Sequence, residues 1–84
     1  MPNERGYLVC RHGKLLLKQN DAQGGAHNVD VSTHCSRGKP IALVHTHNVT
    51  PEPSKLDLQT AKDKKLPVCV IFAGRVKCYK VVEK

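Results

Sequence analysis

Residues 41–72, IALVHTHNVTPEPSKLDLQTAKDKKLPVCVIF, set two aliphatic runs on either side of one polar, helix-like segment. "IALV" (41–44) is continuously aliphatic, which reads as a central strand covered on both faces. It runs straight into His45 and His47. "NVTPEP" (48–53), with two prolines, reads as a loop. "SKLDLQTAKDKK" (54–65) is the one good helix: Ser54 can cap its first turn, and Leu58 and Ala61 lie one turn apart. Lys62, Lys64 and Lys65 complement its negative C-terminal end. Pro67 stops it. "VCVIF-AG-RVKCYKVV" (68–82) then reads as a β-hairpin.

Upstream, "GYLVC" (6–10) and "KLLLKQ" (14–19) read as two strands around a turn with Gly13. "NDAQGGAHN" (20–28) is predicted as a loop, "VDVST" (29–33) as a short half-buried strand and "CSRGKP" (35–40) as a second turn. No repeat or linker divides the chain, so residues 1–84 are expected to form a single domain.

A chain of 84 residues buries roughly 60–65% of the surface its unfolded form exposes, so help from a metal, a partner subunit or a cross-link is expected. Lys+Arg 14 against Asp+Glu 7 gives a net charge of +7, which suits an acidic partner. The basic residues are scattered and the aromatics are Tyr7, Phe72 and Tyr79, too few to favour nucleic acid. The apolar runs are too short to span a bilayer, and "MPNERGYLVCRHG" is charged and broken by Gly, unlike a signal peptide. No membrane is therefore expected, and a cytoplasmic location is. The cysteines at 10, 35, 69 and 78 lack C-x-x-C spacing and read as buried thiols, with disulfides the alternative in a hyperthermophile. His12, His27 and His34 read as loop histidines; a second metal site from Cys10, His34 and Cys35 is the less favoured alternative. Gly24-Gly25 is no phosphate loop, because no Lys-Ser/Thr and helix follow. Nothing marks a cysteine nucleophile at a helix N-terminus.

In a strand, residues two apart point to the same face, so His45 and His47 can converge on one ion with Thr46 turned away. Asp57, in the first helical turn, can supply a third ligand. Two imidazoles, one carboxylate and a water make the usual catalytic zinc arrangement, in which the bound water reaches a pKa of about 7 and a carbonyl is polarised. The competing reading is plainer. Ser54-x-x-Asp57 also matches a capping box, and two histidines at a strand end can be partly buried polar residues. Taken together, the two motifs favour the metal.

"HTH…PSKLD", followed by a helix and a hairpin, resembles the JAMM/MPN (JAB) family of zinc metallo-isopeptidases, whose motif is a Glu, then H-x-H, then S-x-x-D. The likeness extends from Glu4 to the final hairpin. It implies zinc on His45, His47 and Asp57, Ser54 near the developing oxyanion, and Glu4 of "ERGYLVC" as general base. It also implies an α+β fold: a small mixed, curved sheet with one main helix after the central strand, a minimal JAMM/MPN-like (cytidine-deaminase-like) core. The departures are a six-residue rather than seven-residue gap between His47 and Ser54, Asn48 where a proline commonly follows, and no helix before Glu4. The activity implied is hydrolysis of isopeptide or peptide bonds, deubiquitinase-like, on a ubiquitin-like or small sulfur-carrier protein. The missing helix leaves Leu15 and Leu17 uncovered, so a homodimer or partner subunit is expected. A non-catalytic scaffold and a nucleic-acid-associated member of the superfamily are the alternatives.

Within the hairpin, a two-residue "AG" loop puts Cys69 opposite Cys78 and places Cys69, Ile71, Val76 and Cys78 on one apolar, core-facing side. A three-residue loop with Gly74 in the left-handed region would slide the strands by one. The apolar pattern favours the first register, with the two thiols in contact.

Overall fold

The structure is a computed structural model and describes residues 3–25 and 29–80. His27 and the last residues of the expected hairpin lie outside the described residues. The elements are β1 (Arg5–His12), β2 (Leu15–Gln23), β3 (Lys39–Thr46), α1 (Lys55–Lys64), β4 (Val68–Phe72) and β5 (Arg75–Tyr79). The strands form one sheet in the order β2-β1-β3-β4-β5. β3 and β4 are parallel and the other neighbours antiparallel.

The expected α+β fold with a JAMM/MPN-like (cytidine-deaminase-like) core, organised on a main helix after the central strand, is not what the chain builds. Among the described residues it is mostly a five-stranded mixed sheet with a single ten-residue helix and two disulfides. The physical reason is the thin apolar content of the helix. α1 buries Asp57 and Ala61, while Leu56 and Leu58 are exposed. The core is a small cluster of Leu8, Cys10, Leu43 and Val68 from the strands with Ala61 and Leu66, and Val31 and Cys35 pack against it. One short helix covers part of one sheet face, and a cross-linked loop covers more of it.

That loop corrects two further expectations. "VDVST" forms no strand, and β2 runs on through Asn20 to Gln23 where a loop was expected. Asn20 takes a positive φ of 60° near the register shift opposite Gly6/Leu8, and its amide donates to the Ser32 and His34 carbonyls at 3.0 and 2.7 Å. Gln19 accepts from the Ser36 N–H at 2.7 Å and donates to the Arg37 carbonyl at 2.9 Å. Side chains of β2 thus supply some of the hydrogen bonds a strand ladder would give, and the segment stays irregular. Its Cys35 is bonded to Cys10, and Cys69 to Cys78, so the expected free thiols and the alternative Cys10–His34–Cys35 metal site are both replaced by disulfides.

The hairpin adopts the favoured register, with Cys69 opposite Cys78, Ile71 opposite Val76 and Phe72 opposite Arg75. Ala73 and Gly74 both have positive φ, 52° and 75°, as a two-residue primed turn requires. The face assignment is overturned: Cys69 and Ile71 lie on the side of the sheet opposite the core-facing Val68, and their partners Val76 and Cys78 with them. The core takes Val68, and its neighbour on that side, Val70, is buried too, while Val76 is 61% exposed and Cys78 is exposed. β5 is an edge strand with little above it. Among the described residues, no helix is long and apolar enough to cross a membrane.

Candidate metal centre

β3 delivers the two histidines. His45 is its penultimate residue and is buried; His47 follows its end and is partly buried. Between them, Thr46 turns away to bond the backbone of Arg5, accepting from its N–H at 2.8 Å. The His47 N–H donates to the Ile71 carbonyl at 2.9 Å, continuing the β3–β4 pairing one residue past the strand and fixing the second histidine.

α1 delivers the carboxylate. Ser54 is its N-cap: its hydroxyl accepts from the Asp57 N–H at 3.1 Å, and Asp57 Oδ2 accepts from the Ser54 N–H at 2.9 Å. The capping box is therefore real, and it does not compete with the metal reading. The same carboxylate reaches both histidines, with Oδ1 3.0 Å from His45 Nδ1 and Oδ2 3.1 Å from His47 Nε2. Burial raises the pKa of Asp57, but the hydrogen bond with His45, the Ser54 N–H, the neighbouring imidazole charge and the Ser54 hydroxyl together outweigh it. The carboxyl lies at about 2, below its ordinary 3.8. An anionic oxygen is thus available to a cation throughout the ordinary pH range.

The ligand atoms of His45, His47 and Asp57 all lie within 4.8 Å of one another, and this group can hold a metal ion. Two imidazole nitrogens and a carboxylate are a donor set that zinc accepts, among other first-row metals.

Glu4 lies just ahead of β1 and is buried, 6% exposed. Its backbone is held on both sides, the N–H donating to the Gly25 carbonyl at 2.8 Å and the carbonyl accepting from the Gly24 N–H at 2.9 Å. In the β1–β3 pairing Gly6 is opposite His45, so two residues back the register carries Glu4 toward His47. Glu4, His45, His47, Ser54 and Asp57 line one cleft of about 360 Å³. All five residues singled out in the sequence come together. His12 and His34 stay exposed and away from the cleft.

Other contributors were missed, Gly6 and Glu52 among them. Gly6 is buried against the site: a Cβ there would meet Val31 Cγ2 at 2.6 Å, and His45 Cδ2 and the Val44 carbonyl oxygen at 3.0 Å. Its place two residues after Glu4 was the available signal. Glu52, read as plain loop, lines the cleft as well, and no spacing rule marks it. No family model, curated protein or solved structure matches the chain.

Proposed function

We propose that the protein is a zinc-dependent hydrolase of isopeptide or peptide bonds that uses a JAMM-type Glu, H-x-H, S-x-x-D motif. One observation carries this reading: Glu4, remote in sequence, is buried in the same cleft as the His45–His47–Asp57 group and Ser54. A structural metal site has no need of a second carboxylate at its side.

His45, His47 and Asp57 would hold the zinc, which when bound supplies Lewis acidity toward a carbonyl and toward water. Glu4 takes the proton of the attacking water and passes it to the leaving amine. Ser54 accepts from the Asp57 N–H and keeps its own proton to donate to a developing oxyanion. The substrate would be a ubiquitin-like or small sulfur-carrier protein joined through its C-terminal tail, since such tails are slender enough for a narrow cleft. The paired cysteines favour an oxidising setting or a hyperthermophile's cell interior.

A second reading, a metal-stabilised scaffold without activity, is supported by the direct bonding of Asp57 to both histidines, because a metal there would tie helix to strand. Metal analysis beside hydrolysis of an isopeptide-linked carrier protein separates the two. The expected result is one zinc per chain, lost in Asp57→Ala, with Glu4→Gln keeping the zinc and losing hydrolysis. No stoichiometric zinc after incubation with it defeats both readings; zinc without hydrolysis in the native chain leaves the scaffold. Hydrolysis that survives in Glu4→Gln moves the base elsewhere.

A further inference from the structure

We propose that the cleft selects its substrate by an uncharged aliphatic side chain held by Val49 and Leu56, and excludes anionic groups such as phosphodiesters; this rests on the hydrolase reading above and names its substrate class.

Val49 and Leu56 are 65% and 63% exposed, and neither belongs to the core cluster. A single exposed aliphatic residue on a small protein needs no explanation. These two come from different elements, the loop after β3 and the first turn of α1, and both line the metal cleft, joined there by Val29 and Pro53. Leu56 is also the immediate neighbour of the ligand Asp57, so the rigid first turn that aims the carboxylate aims the leucine. A pocket of mostly apolar lining with a few placed polar groups is the ordinary form of a small-ligand site, and about 360 Å³ is at the small end of that range. It admits a side chain and the peptide beside it rather than a folded surface.

Charge gives the second half of the argument. The chain carries Lys+Arg 14, yet among the described residues none of them lines this cleft, whereas Glu4, Glu52 and Asp57 do. Three carboxylates at −3 and a divalent ion at +2 sum to −1, with both histidines neutral as ligands. Among the described residues a phosphate or carboxylate entering here meets no cationic side chain, and it faces Glu52.

The test uses hydroxamates, which chelate zinc, on the zinc-loaded full chain by calorimetry. N-acetyl-leucine hydroxamate should bind about tenfold more tightly than acetohydroxamate, the gain expected for burying much of an aliphatic side chain. N-acetyl-aspartate hydroxamate should bind more weakly than the leucine compound, by at least the same factor. The double substitution Val49→Ser and Leu56→Ser, at exposed positions that do not hold the core, should erase the leucine preference without lowering the melting temperature. Equal binding of the leucine and acetyl probes, a preference for aspartate, or a leucine preference that survives the double substitution would overturn the proposal. If the chain takes up no zinc, the hydrolase reading fails separately. The metal-free protein then reports on the cleft through N-acetyl-leucine methylamide, whose binding should shift the amide resonances of Val49 and Leu56; no shift there overturns the cleft assignment too.

Discussion

Asp57 shows how one side chain can serve structure and chemistry without compromise. Its Oδ2 closes the capping box with Ser54 and faces His47, while Oδ1 faces His45. The helix start and the candidate metal centre are the same set of bonds. The residue that makes this geometry reachable is Gly6, where a methyl group would press on His45, Val31 and the Val44 carbonyl at once. The β-branched Val31 and the paired backbone of Val44 have little room to give. Gly6→Ala is therefore expected to lower stability by about 1–3 kcal/mol and to weaken zinc binding about tenfold or more by tilting the His45 ring. Denaturant unfolding of the metal-free protein and zinc competition with a chromophoric chelator measure the two effects separately. Unchanged zinc affinity would show that Gly6 does not position the ring.

The β4–β5 hairpin shows which of two local rules wins at the scale of an element. A two-residue primed turn wants Asn-Gly, and Ala73 at φ 52° pays the left-handed penalty that Asn largely avoids. The register it permits sets Cys69 opposite Cys78, which are joined by a disulfide. Ala73→Asn should thus stabilise the protein by about 0.5–1 kcal/mol, read as a higher urea midpoint at unchanged slope. A loss of stability would mean the turn is not of this type. α1 gives the complementary case: capped by Ser54 at one end and by Lys65 in the left-handed conformation at the other, it is well specified locally, yet it buries little. Good caps make a helix; they do not make it a layer of the core.

At the scale of the whole molecule, stability depends on the cross-links. The buried cluster is small; on the edge strand Leu15 is 62% exposed as expected, while Leu17, expected to be uncovered as well, is partly buried. The Cys10–Cys35 bridge closes a span of 25 residues and pins the 29–36 segment onto the core; Cys69–Cys78 closes 9 within a hairpin already paired. Loop-closure entropy gives about 3.5 kcal/mol for the first and about 2.5 for the second. Removing Cys10–Cys35 by paired serine substitutions should accordingly cost more than removing Cys69–Cys78, the more so because Cys10 is fully buried. Thermal unfolding of the two double variants, with and without reductant, checks the order; a larger loss from the hairpin bridge would reverse it.

By itself, the sequence determined the local pieces: the β3 run into His45 and His47, the Ser54 cap, the helix limits and the hairpin register. These follow from periodicity, caps and turn chemistry, which act between residues a few positions apart. The same locality made the ligand types legible, since His45 and His47 share a strand face at spacing two and Asp57 has a set place in a first turn. What the tertiary structure decided were long-range matters. It set Glu4 beside residues more than forty positions away, through the β1–β3 register. It paired Cys10 with Cys35, which no local register brings together, and bound the 29–36 segment by side chains of Gln19 and Asn20 rather than by a ladder. It also left the helix too poor in apolar contacts to build the α+β core that its clear local signals suggested. Burial depends on what arrives from elsewhere in the chain, and no window of neighbouring residues contains that information.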